Sequence, residues 1–224
     1  AFTETQLGFR FSAAGESLFL ISADPSRVLD AIRFGPQENG ISTGRYPDGT
    51  PEWRRLNTVT VASENSPFRV SPVVINEILY NPISGDDDDE FVELLNRSDA
   101  PVALSGWSFT DGIDFRFPTN TVIGPGAYVV VARNRSRVLA NHPGLASASV
   151  FGNYAGSLAN GGERLALAMP DLIVVTNEFG LTETTRIDIE VAEVTYGTGG
   201  RWGRWSDGLG SSLELIDPFS DALQ

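Results

Sequence analysis

The sequence predicts an all-β sandwich or barrel carrying one short helix, and three observations predict it. Short apolar or alternating runs recur along the 224 residues: "SLFLIS", "VLDAIRFG", "VVINEILY", "EFVELLN", "GWSF", "FRFP", "AYVVVA", "RLALAM", "LIVV", "IEVAEVTYG" and "SLELID". Their spacing of about 8–15 residues, with turn chemistry between them, is the signature of an all-β domain. Twenty-three Gly and thirteen Pro supply many tight turns.

Along the chain, the first strand signals lie within residues 1–62. "SENSPFRVSP" (63–72), with two prolines, three serines and no periodicity, reads as a linker. The stronger strand signals begin at residue 73. Between two of them, "RNRSRVLANHPG" (133–144) predicts one or two helical turns at the sandwich edge, with Asn134 or Ser136 as cap and Pro143–Gly144 as stop.

Composition excludes several function classes. The net charge of −13 repels a polyanion, so no nucleic-acid partner is expected. No run approaches the roughly 18 apolar residues of a spanning helix, so no membrane insertion is expected. Absence of Cys removes disulfides, thiolate metal sites and cysteine nucleophiles. All sixteen basic residues are Arg, which removes Schiff-base lysines and lysine-based isopeptide cross-links. The first residue is Ala and the only Met is Met169, so the expected chain is a processed product or a piece of something longer.

Three blocks recur in the same order. "AAGESLFLIS" (13–22) matches "NGGERLALAM" (160–169), "VLDAIRFG" (28–35) matches "VAEVTYG" (191–197), and "GRYPDG" (44–49) matches "GRWSDG" (203–208). The offsets are 147, 163 and 159, so the second copy carries an insertion near "TNEFGLTETTRIDIE". Residues 1–62 are therefore expected to be the second half of a domain whose complete copy is 73–217, with 63–72 as linker and 218–224 opening the next linker. A half-sandwich leaves strand edges unpaired and apolar residues such as Leu18, Leu20, Ile32 and Phe34 uncovered. The N-terminal segment is accordingly expected to be poorly ordered, to pack irregularly, or to pair with another chain.

The second copy resembles the lamin-tail domain. The residues that carry the resemblance are "INEILYNP" (75–82), "EFVELLNRSDAPVALSGWSF" (90–109), "FRFPTNTVIGPGAYVVVA" (115–132) and "GGERLALAM" (161–169). The tandem copies and the "GRYPDG"-type ending make the match to bacterial members closer than that to nuclear lamins. The resemblance implies an immunoglobulin-like β-sandwich and no catalytic residues. It also implies an accessory module beside other domains of a large secreted or surface-attached protein.

An Asp-rich run, "DDDDE" (Asp86, Asp87, Asp88, Asp89, Glu90), fails as an EF-hand loop, because Phe91 and Arg97 stand where Gly and Glu are needed. It reads first as the solvated tip of the first hairpin, and second as a calcium site of another geometry. Glu77, Glu90 and Glu93 lie in strand patterns and are expected to be paired inside the fold, with Arg97 or Arg116 as candidate partners. Trp107 is expected in the core. Of Trp202 and Trp205 in "GGRWGRWSDG", one is expected to cover the sandwich end and the other to offer a ligand-stacking face, with Trp53 as their loose equivalent. "GTGGRWG" lacks the Lys and the following helix of a phosphate loop.

The single histidine, His142, reads as a helix C-terminal residue. No G-x-S-x-G elbow and no H-E-x-x-H motif is present. "NRS" at 96–98 and 134–136 fits the glycosylation sequon. The expected function is thus a non-catalytic spacer or interaction module, extracellular or at a cell surface. Its expected partners are a protein or glycan and neighbouring domains, and no cofactor is expected. Two alternatives are a calcium-dependent binding module using residues 86–90 and, third, a carboxylate-based hydrolase.

Overall fold

The computed structural model describes residues 8–176 and 179–219, with the side chains of Val175 and Thr176 left undescribed. In chain order the strands are β1 (Glu16–Ile21), β2 (Val28–Phe34), β3 (Thr43–Arg45), β4 (Trp53–Arg55), β5 (Val73–Leu79), β6 (Phe91–Asn96) and β7 (Val102–Ala103). There follow β8 (Ser108–Asp111), β9 (Val122–Ile123), β10 (Tyr128–Ala132), β11 (Val150–Phe151), β12 (Arg164–Thr176), β13 (Thr182–Thr195) and β14 (Leu213–Glu214). One α-helix, α1 (Arg135–Asn141), and short 3-10 turns complete the set. The chain divides into two compact units, Ala1–Val70 with Pro170–Ile189, and Ser71–Met169 with Glu190–Gln224.

The second unit is an immunoglobulin-like sandwich. A five-stranded sheet has the order β11-β10-β6-β5-β14, and a three-stranded sheet the order β13-β12-β8, of which β12 up to Met169 and β13 from Glu190 belong to this unit. All pairs of the larger sheet are antiparallel except β10 with β11. Alternation along the strands builds the core. Val92 and Leu94 of β6 and Val129 and Val131 of β10 share one buried cluster with Phe109 of β8 and Leu165 and Leu167 of β12. Trp107 joins that cluster, as its sequence context predicts.

Strand β5 departs from simple alternation. Its register against β6 shifts between Ile75 and Glu77, leaving Asn76 as one extra residue. Such a bulge reverses which parity faces inward. Val73 and Ile75 before it, and Ile78 and Tyr80 after it, therefore all reach the same core.

On the other face of the large sheet, Val130 and Ala132 of β10 meet Val138 of α1 and Val150 of β11 in a second, smaller cluster. The helix is where the sequence puts it. Asn134 is its cap, accepting from the Arg137 amide at 3.2 Å, and His142 closes it, its amide donating to the Val138 carbonyl. Among the described residues no helix is long and apolar enough to cross a membrane.

The first unit contains two small hairpins, β1–β2 and β3–β4. Residues 63–72, expected as a linker, include a stretch tied along β4. The Asn57 amide donates to the Pro67 carbonyl, the Arg69 amide to the Arg55 carbonyl, and Leu56 bridges to Phe68. Asn65 adds side-chain and backbone bonds to the Arg45 carbonyl and to Asp48. The lack of periodicity in that stretch is real, but its backbone donors and acceptors still find partners.

The roots of hairpins β1–β2 and β12–β13 share one local geometry. Gly15 and Gly162 have φ of +98° and +100°. Their amides donate to the carbonyls three residues back, Ser12 at 3.1 Å and Ala159 at 3.0 Å. In both, the following glutamate folds back: Glu16 Oε1 accepts from the Ser12 amide and Glu163 Oε1 from the Ala159 amide, each at 2.7 Å. A Cβ on Gly15 would lie 2.5 Å from the Phe34 carbonyl oxygen, and one on Gly162 the same distance from that of Tyr196.

Gly162→Ala should therefore cost at least about 2 kcal/mol, from the left-handed backbone and the carbonyl clash together. Gly126→Ala, at φ +64° with open space around it, should cost only about 1 kcal/mol. Urea denaturation of the two variants checks the difference; equal losses would show that the close approach to Tyr196 is without consequence.

Candidate functional site

The acidic run occupies the connection from β5 to β6. Asp87–Asp89 form a single 3-10 turn, capped by Asp86, whose carboxylate accepts from the Asp88 amide at 3.0 Å. This turn lies against α1, and the helix supplies its counter-charges. Arg137 grips Asp89 with two bonds, Nε to Oδ1 at 2.6 Å and an Nη to Oδ2 at 2.9 Å. It also reaches Asp86 at 2.8 Å. Arg133 donates to Asp87 at 3.1 Å, Asn134 to Asp88 at 3.0 Å, and Asn141 to Asp89 at 2.7 Å.

The run is thus not a tip whose like charges are simply pushed into water. Two arginines and two asparagines, 46–52 residues along the chain, engage every one of the four aspartates. Bidentate pairing with Arg137, helped by Ser84 and Asn141, holds the Asp89 carboxyl below the usual carboxylate range. Its contribution to stability is present above that range and is lost as pH falls through the lowered pKa.

Glu90 behaves differently. It is fully buried, and its Oε2 accepts from the Tyr154 hydroxyl at 2.8 Å and from the Leu158 amide at 3.0 Å. Its Oε1 has no hydrogen-bond partner, and Arg133 approaches the carboxylate no closer than 3.7 Å. Burial raises its pKa against the effect of these donors. Folding then favours the protonated form, so the cost of Glu90 is absent at low pH and grows as pH rises through the raised value.

Glu93 and Glu77 also take neutral partners rather than Arg97 or Arg116. Glu93 accepts from Asn76 at 2.9 Å, and Glu77 from Ser212. Arg97 instead donates to the carbonyls of Ser71 and Pro218. Glu93, Glu77 and Glu214 stand directly opposite one another across β6, β5 and β14. Burial first, and then the charges of Glu77 and Glu214, raise the pKa of Glu93. Nothing in the sequence marked this row, because it exists only through strand register.

As for metal binding, among the described residues no three His, Cys, Asp or Glu side chains converge in a group that could hold an ion. Asp86–Asp89 spread their carboxylates outward to α1, while Glu90 turns inward to Tyr154.

The two tryptophans of "GGRWGRWSDG" separate as well. Trp202 packs against the main core and lies close over Gly197, with the Arg201 guanidinium 4.7 Å from the centre of its ring. Trp205 is 64% exposed, on a 3-10 turn, Arg204–Ser206. The rest of the motif is structural: Ser206 is buried beside the Tyr80 hydroxyl, and Asp207 accepts from Asn81 at 2.8 Å. Trp202 lines an open groove of about 870 Å³ beside β14, together with Ile75, Ile78, Val194, Leu213 and Leu215. Trp205 does not line it.

His142 sits edge-on to the Phe91 ring, 6.3 Å between centroids. Both sequon asparagines are committed. Asn96 is buried, donating to the carbonyls of Ala100, Ile123 and Gly124, and Asn134 is the helix cap.

The family model described as Lamin Tail Domain matches residues 67–198, more than half of the chain. No curated protein matches it.

Two sets of substitutions test this assignment of roles. Glu90→Gln should melt at or above the wild-type temperature at pH 7, with the gap closing toward pH 4; a lower melting point at pH 7 would show that the charge itself is required. Glu90→Ala strands two buried donors and should cost about 2–4 kcal/mol. For the tryptophans, Trp202→Ala should cost about 2 kcal/mol through lost packing, while Trp205→Ala should leave the melting temperature unchanged.

Proposed function

Because the chain belongs to the lamin tail domain family, a family of immunoglobulin-like modules, we propose that it works as a non-catalytic interaction or spacer module. The carrying observation is how its polar side chains are used. Asp86–Glu90, Glu77 and Glu93 each hold a position in the fold's own bonding, and His142 packs on Phe91, while the groove beside β14 is mainly apolar, with Asn76, Glu193, Arg201 and Glu214 among its polar residues. Such a groove offers apolar area for a partner, with a few polar groups to orient it.

We place the module in a large secreted or surface-attached bacterial protein. The partner class is a protein or glycan, with neighbouring domains of the same chain as further partners. Support comes from the paired "GRYPDG" and "GRWSDG" blocks and the strongly acidic composition. An acidic surface without lysine keeps such a module soluble and apart from anionic polymers.

Turnover assays on phosphodiester, ester and glycoside substrates should find no activity. Reproducible activity abolished by substituting Asp86–Asp89 would overturn the reading. Calcium at millimolar concentration should leave the melting temperature unchanged, because arginine already pairs with Asp86, Asp87 and Asp89. A ligand that binds only the native state must raise that temperature, so a clear upward shift would establish the calcium-dependent alternative.

A further inference from the structure

Hairpin β1–β2 repeats the root geometry of β12–β13 but not its surroundings. Counting forward from Glu16 and Glu163, which hold equivalent bonds, Leu18 corresponds to Leu165, Phe19 to Ala166, Leu20 to Leu167 and Ile21 to Ala168. The four residues of β12 are fully buried. Phe19, Leu20 and Ile21 of β1 are 50–62% exposed, and Val28 and Leu29 on β2 are similarly open.

The second difference is at the strand edge. In β12 the edge away from β13 is filled by β8: Leu167 stands opposite Phe109, Ala168 opposite Ser108 and Ala166 opposite Asp111, all antiparallel. Trp107 and Phe109 thereby join Leu165 and Leu167 in the main core. Among the described residues β1 pairs with β2 alone. An unprotected strand edge beside exposed apolar side chains is a template for pairing, and β1 carries no proline to block it.

We propose that the free edge of β1 accepts an added antiparallel strand, and that the strand it fits is a β8-type segment of a lamin-tail sequence, bearing the Leu-Ser-Gly-Trp-Ser-Phe pattern and not already seated in a sandwich of its own. Its backbone pairs with Phe19–Ile21 as β8 pairs with Ala166–Ala168. Its aromatic side chains then stand beside Leu18 and Leu20, on the face that Leu165 and Leu167 present to their own core. This is recognition by strand addition: main-chain bonds provide affinity and alternate side chains provide selectivity. The specificity is written in the same chain, which makes this pairing once within its second unit.

The inference rests on the reading of the chain as an interaction module and names one partner for it. The probe is a synthetic peptide copying residues 102–114, added to the full chain, with hydrogen exchange followed by mass spectrometry. Saturating peptide should slow exchange across Glu16–Ile21 by about threefold or more, since newly bonded edge amides gain protection. A sequence-scrambled peptide and a Trp107→Ser peptide should not. Leu20→Lys should abolish the protection without lowering the melting temperature, because Leu20 is exposed and a charge on an edge strand opposes pairing. Unchanged exchange in β1, equal slowing by the scrambled peptide, or full protection in Leu20→Lys would each overturn the inference. So would a concentration-dependent dimer, seen by sedimentation and lost in Leu20→Lys, since β8 of a second copy is already seated against its own β12 and the edge would then pair with a different strand. Any of these would leave the interaction-module reading intact; only turnover would remove that.

Discussion

Strand β5 holds one residue more than its partner between Ile75 and Glu77, and the facing of the five-stranded sheet depends on that residue. Without it, strict alternation from Val73 and Ile75 would bring Glu77 and Leu79 to the core and turn Ile78 and Tyr80 to the outside. With it, Ile78 and the fully buried Tyr80 reach the interior, where Tyr80 stacks on Tyr196 with centroids 4.8 Å apart. Tyr80 in turn positions the "GRWSDG" segment through Ser206, and Asn81 does so through Asp207. The same bulge sends Glu77 outward to meet Glu93 and Glu214. Like charges opposite one another cost a few tenths to about 1 kcal/mol. Asn76 and Ser212 donate to two of the three and offset part of that cost.

The acidic turn shows why arginine rather than lysine suits this chain. Five consecutive acidic residues begin where β5 has just left the core, a position where mutual repulsion would ordinarily hold the loop open. Arg137 lies in the first turn of α1, and Arg133 stands just before its Asn134 cap, so both reach the acidic turn from the start of the helix. A planar guanidinium can hold two carboxylates at once in fixed geometry, as Arg137 does with Asp89 and Asp86; an ammonium is a point charge without that fork. The helix is thereby fixed to the sheet twice, by the apolar contact of Val138 and by this polar layer. Glu90 terminates the acidic run inside the protein, so the turn is tied to the core at one end and to the helix along its length.

Much of this was legible in the sequence, for reasons that are local. Strand runs, the Asn134 cap, the stop after His142 and the core placement of Trp107 all follow from short-range pattern. So did the family, through "EFVELLN" and "LSGWSF". The partners of the aspartates were not legible, because the arginines that engage them lie on a separate element brought close by the β6–β10 pairing. The partners expected for the strand glutamates failed for a related reason: burial with neutral donors can hold a carboxylate without an ion pair, and sequence spacing carries no sign of Tyr154 or Asn76. Trp202 and Trp205 are three residues apart with nearly identical neighbours, so only the fold could decide which one covers the core. The tie of residues 65–69 to β4 was equally hidden, since a prolyl carbonyl accepts a hydrogen bond whatever the periodicity around it.

The two hairpin roots carry the comparison furthest. Gly15 and Gly162 have the same backbone angle, the same amide bond three residues back and the same glutamate turned onto the preceding loop, yet the strands that follow differ completely in burial. The root geometry is therefore set by residues close in sequence: a glycine that tolerates positive φ and close carbonyl approach, and a glutamate that satisfies an amide otherwise left open. Burial is set by what the rest of the chain brings, which for β12 is β8 and the opposing sheet. Phe19 and Ile21 sharpen the point, for their counterparts in β12 are alanines that fit beneath neighbours already in place. In β1 the larger side chains face open solvent, where each leaves apolar surface that costs about 25 cal/mol per Å² relative to a covered state. A hairpin whose root is set by local contacts, but which is left with that surface open, favours whatever strand can complete it.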